Sequence, residues 1–239
     1  MPYFYICKKI RLVIQYHLME KELCASLLAA NHAHIGRDLK AAEEAGIRRF
    51  HIDVTDGHYT EELTFGVHLV KDIRKETESV LDIHLAVFNM PAILDTFLEA
   101  GPDQITIQYE CCELPRRLLG KIQKHTMIRA LSFIPATGFD RIEYFLDEAD
   151  IISILGVDPG IGGQSFIPKV IPKIEKAANA IAKRGLKTRI AVDGGLNPEN
   201  CRAVANAGAD ILILGSGIFT GNSIAGNVET LKNILEIYS

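Results

Sequence analysis

From residue 22 onward, short apolar runs alternate with longer segments whose apolar residues recur at helical spacing. The runs predict strands at Leu23–Leu27, Arg49–Val54, Val80–Leu85, Gln104–Gln108, Met127–Phe133, Ile151–Leu155, Thr188–Val192 and Asp210–Leu214. Between them, helices are expected to begin near His34, Val67, Pro91, Leu114, Asp140, Lys169, Pro198 and Ser223. Three helices end alike, at Glu44-Ala45-Gly46, Glu99-Ala100-Gly101 and Asn206-Ala207-Gly208. Glycine after the last turn is the usual helix stop, so each triplet hands over to the next strand.

Eight β–α units with no linker or shift in composition predict one (β/α)8 TIM barrel over residues 22–239. An open doubly wound sheet has fewer strands. Residues 1–21 read as a peripheral extension, since Met1 to Leu18 mix aromatics with Lys8, Lys9 and Arg11 and lack the form of a signal peptide.

Barrels of this kind carry their sites at the C-terminal ends of the strands. His51 and Asp53 share one face of the second strand, while Ile52 and Val54 point into packing. His84 on the third strand and Asp193 after the seventh fall at the same end of the barrel. Two histidines and two aspartates without cysteine suit one divalent metal, Zn²⁺ first, then Fe²⁺, Mn²⁺ or Co²⁺. Taken singly, each has an ordinary alternative as a core histidine or a turn-forming aspartate. The remaining histidines fall in the extension, on loops or on helices, and His58 is expected to shape the turn after the second strand.

Glycines gather at that end too. Gly160, Gly162 and Gly163 follow strand six, Gly194 and Gly195 follow strand seven, and Gly215-Ser216 follows strand eight. Glycine lets backbone N–H groups approach an anion closely, and barrels often hold phosphate after strands seven and eight. A phosphate pocket is therefore expected there.

Composition narrows the setting. Apolar residues make up 48% of the 239 and charged residues 23%, enough for a sizeable core and too ordered a mix for intrinsic disorder. A net charge of −4 argues against a broad nucleic-acid or anionic-membrane surface, and no apolar run reaches the ~18 residues that span a bilayer. The five cysteines are odd in number and lack C-x-x-C spacing, as expected of buried free thiols in a reducing cytoplasm.

Over roughly residues 22 to 235 the chain resembles the ribulose-phosphate 3-epimerase family. The stretches that carry the resemblance are Ala25-Ser26-Leu27-Leu28, His51-Ile52-Asp53-Val54-Thr55-Asp56-Gly57-His58, Asp82-Ile83-His84-Leu85, Asp158-Pro159-Gly160-Ile161-Gly162-Gly163-Gln164-Ser165-Phe166, Val192-Asp193-Gly194-Gly195 and Gly215-Ser216. The resemblance implies a barrel that binds one divalent metal through His51, Asp53, His84 and Asp193 and moves a proton at C3 of a ketopentose phosphate. It implies that Asp53 and Asp193 act as base and acid, that Ser26 and His84 contact substrate, and that the glycine loops take the phosphate. D-ribulose 5-phosphate and D-xylulose 5-phosphate would be the interconverted pair, handled by a cytoplasmic homo-oligomer.

The chain departs from that family at the substrate wall. Thr55, Ala86 and Leu155 stand where methionine is usual, Gln108 where histidine is, Ala25 where proline is and Asn31 where aspartate is. Replacing adaptable Met side chains alters the reaction chamber, so a six-carbon ketose phosphate such as D-allulose 6-phosphate competes as substrate. A non-catalytic phosphosugar-binding barrel is the other alternative. Related decarboxylases carry a lysine beside their strand-end carboxylates, and none follows Asp53 before Lys71.

Overall fold

The computed structural model describes residues 21–160, 162–221 and 223–237. Residues 1–20 of the extension expected over residues 1–21, with Cys7 and His17, lie outside the described residues, as does Ile161. Eight parallel strands close into a barrel in sequence order, β1 (Glu22–Ser26), β2 (Arg49–Thr55), β3 (Val80–Ala86), β4 (Gln104–Gln108), β5 (Ile128–Phe133), β6 (Ile151–Leu155), β7 (Arg189–Asp193) and β8 (Ile211–Leu214). Pairing of β1 with β8 completes the ring and rules out an open sheet.

The helices are α1 (Ile35–Glu44), α2 (Val67–Glu76), α3 (Met90–Leu98), α4 (Pro115–Gln123), α5 (Phe139–Phe145), α6 (Ile171–Arg184), α7 (Cys201–Asn206), α8 (Ser216–Phe219) and α9 (Ile224–Leu235). In α6, Ile174, Ala177 and Ile181 recur at three- and four-residue spacing and form its buried face. Pro172 stands in its first turn, and Gly185 stops it in the left-handed conformation. The three expected glycine stops also have positive φ: Gly46 at 96°, Gly101 at 76° and Gly208 at 116°.

Three expectations shift. α7 starts at Cys201 and not near Pro198, because the Asn197 side chain accepts the N–H groups of Glu199 and Asn200 and holds a turn there. The short α8 lies where no helix was expected, since four residues are too few for a periodic signal. Lys21, assigned to the extension, reaches the barrel, donating to the Ala209 carbonyl at 2.8 Å.

Alternation along the strands separates two cores. Outward residues such as Phe50, Ile52, Leu81, Ile83, Ile105 and Ile107 are buried against the helices. Inside the barrel a small apolar plug of Cys24, Ala130, Ile151, Ala191, Ile211 and Ile213 fills the β1 and β5–β8 side. The β2–β4 side is polar within, with Arg49, His51, Asp82, His84, Gln104, Thr106 and Gln108 all buried. The polar half of the alternation therefore faces the barrel axis, because helices cover the outside.

Aspartates close the far end of the barrel. Asp103, Asp150 and Asp210 immediately precede β4, β6 and β8, and each carboxylate accepts a backbone N–H from the strand before, at Leu81, Arg129 and Ile190, at 2.8–2.9 Å. Each also gives its own N–H to the carbonyl of that same residue. Each aspartate's carbonyl then accepts from the start of the next strand, at Ile128, Arg189 or Glu22. Three of the four even-numbered strands, β4, β6 and β8, are thus pinned by an aspartate.

Candidate metal and substrate site

At the open end, β2, β3 and β7 bring His51, Asp53, His84 and Asp193 together, with one donor atom from each within 4.8 Å of the others. Asp53 Oδ1 lies 3.2 Å from His51 Nε2 and 3.1 Å from His84 Nδ1, and Asp193 Oδ2 lies 3.6 Å from His51 Nε2. Tetrahedral ligands at 2.0–2.1 Å from zinc stand about 3.3 Å from one another. The spacing and the donor chemistry both fit a divalent cation. Cys24 is buried inside the barrel and outside this group, in keeping with a site built on nitrogen and oxygen.

One placement needs correction. His51 is the third of seven residues in β2 and not at its end, because the strand continues to Thr55. It is fully buried and forms the floor beneath the other three.

Electrostatics separates the two carboxylates. Burial would raise Asp53, but the adjoining His51 and His84 outweigh it and hold its carboxyl well below the usual range. Asp193 goes the other way: burial and the Asp53 carboxylate push it up, against the pull of His51. Burial disfavours charge on His51, yet Asp53, Asp82 and Asp193 surround it and keep its pKa well above that of an ordinary histidine. Two carboxyl groups driven apart in this way are suited to opposite roles in proton transfer.

Above the cluster opens a cavity of about 360 Å³. Its lining includes Ser26, Asp53, His84 and Asp193 together with Gly160, Gly162, Gly163, Gly194, Gly195, Gly215 and Ser216. All the substrate-contact residues expected from the sequence therefore share one wall system. Ser26 Oγ donates to Asp53 Oδ2 at 3.3 Å. Among the described lining residues there is no Lys or Arg, so a phosphate there would rely on backbone N–H groups and the Ser216 hydroxyl.

The glycines are not equivalent. A Cβ on Gly194 would meet Val157 Cγ2 at 2.6 Å, and one on Gly195 would meet the Phe166 backbone N at 2.5 Å; both have positive φ. These two are required for loop packing whatever they bind. A Cβ on Gly162 would meet nothing within 4 Å.

Sequence reasoning missed the roles of the residues behind the ligands, and Gln108, expected at the substrate wall, is buried behind His84 and does not line the cavity. Asp82 meets His51 Nδ1 at 2.7 Å, and Gln108 meets His84 Nε2 at 2.9 Å. Thr64 donates to the Asp53 carbonyl at 2.5 Å and receives the Thr55 N–H at 3.0 Å, folding the β2–α2 loop back beside the site. Asp82 was within reach of the strand alternation, two residues from His84 on the same face. Thr64 carried no such signal. The turn after β2 is held by Asp56, whose carboxylate accepts the N–H groups of His58 and Tyr59, while His58 Nδ1 lies 3.0 Å from the Asp56 carbonyl.

Fold and centre together define a (β/α)8 barrel with a His₂Asp₂ divalent-metal site under a glycine-rimmed cavity. Residues 22–219 match the model of the ribulose-phosphate 3 epimerase family. A ribulose-phosphate 3-epimerase of Methanocaldococcus jannaschii is 36% identical over 208 residues, covering 87% of this chain and 88% of the relative. One from Synechocystis is 37% identical over 210 residues, covering 87% and 91%. The chain belongs to the ribulose-phosphate 3-epimerase family. It is an isomerase, a metal-dependent epimerase of ketose phosphates.

Among solved structures, phosphoribosyl anthranilate isomerase from Thermus thermophilus superposes with a TM-score of 0.64 at 17% identity, covering 90% of this chain and 98% of that one. KGPDC from Streptococcus mutans gives 0.65 at 17%, covering 92% and 100%. At such identity these likenesses concern the fold alone.

Proposed function

We propose that the chain interconverts D-ribulose 5-phosphate and D-xylulose 5-phosphate by removing the C3 proton with one aspartate and returning it to the opposite face with the other. The observation that carries this is the pairing of Asp53 and Asp193 beside the cavity, both lining it and standing 3.2 and 3.6 Å from His51 Nε2. They sit on β2 and β7, strands separated around the ring by β1 and β8. Inversion requires a proton donor and a proton acceptor on opposite sides of one carbon, and carboxylates projecting from non-adjacent strands meet that need.

Asp53 takes the proton in one direction of reaction. Asp193 delivers one to the other face, and the roles exchange in the reverse direction. Ser26 holds the second oxygen of Asp53 and so fixes which lone pair faces the substrate. His51, Asp53, His84 and Asp193 would hold the cation, zinc being the best match for two imidazoles and two carboxylates at this spacing. When bound, the cation supplies Lewis-acid stabilisation for the negative charge that develops on the substrate oxygens. The glycine loops after β6, β7 and β8 seat the phosphate through backbone N–H groups.

A second substrate, a six-carbon ketose phosphate, is favoured by one observation. Thr55, Ala86 and Leu155, the three positions that depart from methionine, line the same cavity. A panel of pentulose and hexulose phosphates, assayed for solvent-deuterium incorporation at C3, decides between them. The proposal requires D-ribulose 5-phosphate to be turned over with the highest kcat/KM. Preferential exchange of a hexulose phosphate would replace it with the second reading.

A further inference from the structure

Each histidine of the cluster stands at the end of a hydrogen-bond chain, and once a cation takes the ring nitrogen that faces the cluster, the donors and acceptors along each chain admit one arrangement. Behind His51, Arg49 Nη1 donates to Gln104 Oε1 at 2.7 Å. Arginine can only donate, so the Gln104 oxygen faces it and the Gln104 amide N–H₂ faces Thr106 Oγ1, at 3.0 Å. The Thr106 hydroxyl donates to Asp82 Oδ1 at 2.6 Å, and Asp82 Oδ2 stands 2.7 Å from His51 Nδ1. A carboxylate only accepts, so His51 carries its proton on Nδ1 and turns Nε2 toward Asp53 and Asp193. All five residues are at most 5% exposed, so water does not compete for these bonds.

Behind His84 the logic runs through a different ring atom. Gln108 Nε2 donates to the Glu110 carboxylate, which also accepts from the Thr137 hydroxyl and the Ile134 N–H. The Gln108 oxygen is thereby turned to His84 Nε2, 2.9 Å away. His84 carries its proton on Nε2 and presents Nδ1 to Asp53 at 3.1 Å.

Building on the reading of this cluster as a metal centre, we infer that Asp82 and Gln108 are positioning residues that hold His51 and His84 in opposite tautomers, aiming Nε2 of one ring and Nδ1 of the other at a single cation. Neither lines the cavity, so their action is through the rings they hold. Partners of this kind fix ring orientation and typically govern metal affinity by 10–100-fold. The two chains differ in what anchors the ring. Asp82 touches the rear nitrogen of His51 directly with a carboxylate, whereas the rear nitrogen of His84 meets one only through the Gln108 amide, so loss of Asp82 has the larger effect.

Ring-nitrogen NMR of the zinc-loaded, ¹⁵N-histidine-labelled protein, with chelator competition for zinc affinity, tests this independently of turnover. The expected spectrum assigns a protonated Nδ1 to His51 and a protonated Nε2 to His84. Asp82→Asn is expected to weaken zinc binding by about 10–100-fold and Gln108→Leu by about 10-fold. Thr106→Val, which keeps its volume and removes only the hydroxyl that orients Asp82, is expected to weaken zinc binding severalfold even if Asp82→Asn fails to fold. Rings protonated on the same nitrogen, or zinc affinities within twofold of wild type in all folded variants, would overturn the inference while leaving the metal centre intact. Failure of the metal-free wild-type protein to bind any divalent cation would overturn both.

Discussion

The two ends of this barrel handle charge in opposite ways. At the closed end each acid meets a cation or a backbone N–H. Glu22 bridges Arg49 and Arg189 at 2.8 Å each, Arg129 grips Asp150 through two nitrogens, and Arg74 meets Asp103 at 2.7 Å. At the mouth, Asp53 and Asp193 share His51 as a neighbour, and no Lys or Arg lies among the described residues lining the cavity. Paired charge at one end ties strands together, while like charges converging at the other await a cation and a substrate. The contrast shows where the fold keeps its stability and where it accepts strain for chemistry.

The largest effects fall at the mouth. Asp53→Asn and Asp193→Asn are each expected to lower kcat by about 10³-fold, the scale of a lost general acid or base. Without metal, Asp193→Asn should melt at or above wild type, because burial and Asp53 disfavour its charge, whereas Asp53→Asn, which takes a partner from His51 and His84, should melt lower. Thermal melts in chelator beside steady-state rates check both halves. A variant that loses activity only by unfolding would erase the distinction between the two ends.

The closed end reverses the pattern. Asp150→Ala leaves the Arg129 backbone N–H and guanidinium without their partner. It is expected to cost about 1–2 kcal/mol, reduced from the fully buried case because the Asp150 side chain is 44% exposed. Its kcat/KM should stay within about twofold of wild type, as expected of sites without shared partners. Denaturant unfolding and kinetics on one preparation measure the pair of quantities.

Acid should act on the same contacts. The Arg129 hydrogen bonds hold Asp150 below the ordinary aspartate value of 3.8. Its folded pKa is depressed, so its contribution is fully present above the unfolded value and is lost as pH falls through the folded one. Stability measured from pH 6 down to pH 2 should therefore fall less steeply in Asp150→Ala than in wild type, the two curves converging at the acid end. Parallel curves would mean that Asp150 is not linked to folding.

The smallest effect concerns the glycine rim. Gly162→Ala, whose Cβ meets nothing within 4 Å, should leave the melting temperature unchanged and raise KM for the phosphorylated substrate severalfold. Gly194→Ala should lower the melting temperature, since its φ of +99° and the Val157 contact are incompatible with a side chain. A rise in KM confined to Gly194→Ala would assign the rim to packing alone.

Much of this contrast was legible in the sequence. Alternation identified every strand to within about a residue at its ends, because β2 and β3 expose one polar and one apolar face with little ambiguity. The four cluster residues and the glycine loops followed from their placement at one barrel end. What stayed hidden depends on contacts between distant segments. The partnerships of Asp82 with His51, and of Asp103, Asp150 and Asp210 with neighbouring strands, are invisible until strand register is known. So is the reason for Gly195, which lies in the approach of Phe166 from another loop.

The central claim, proton transfer by two carboxylates from opposite sides of one carbon, is tested most directly by deuterium exchange in the zinc-loaded Asp193→Asn protein. Metal content must be measured on the same sample, because ligand loss would imitate acid–base loss. The account predicts exchange of the C3 proton of one epimer with solvent, carried out by Asp53, without net conversion to the other. Epimerisation at the wild-type rate in that metal-loaded protein would contradict it.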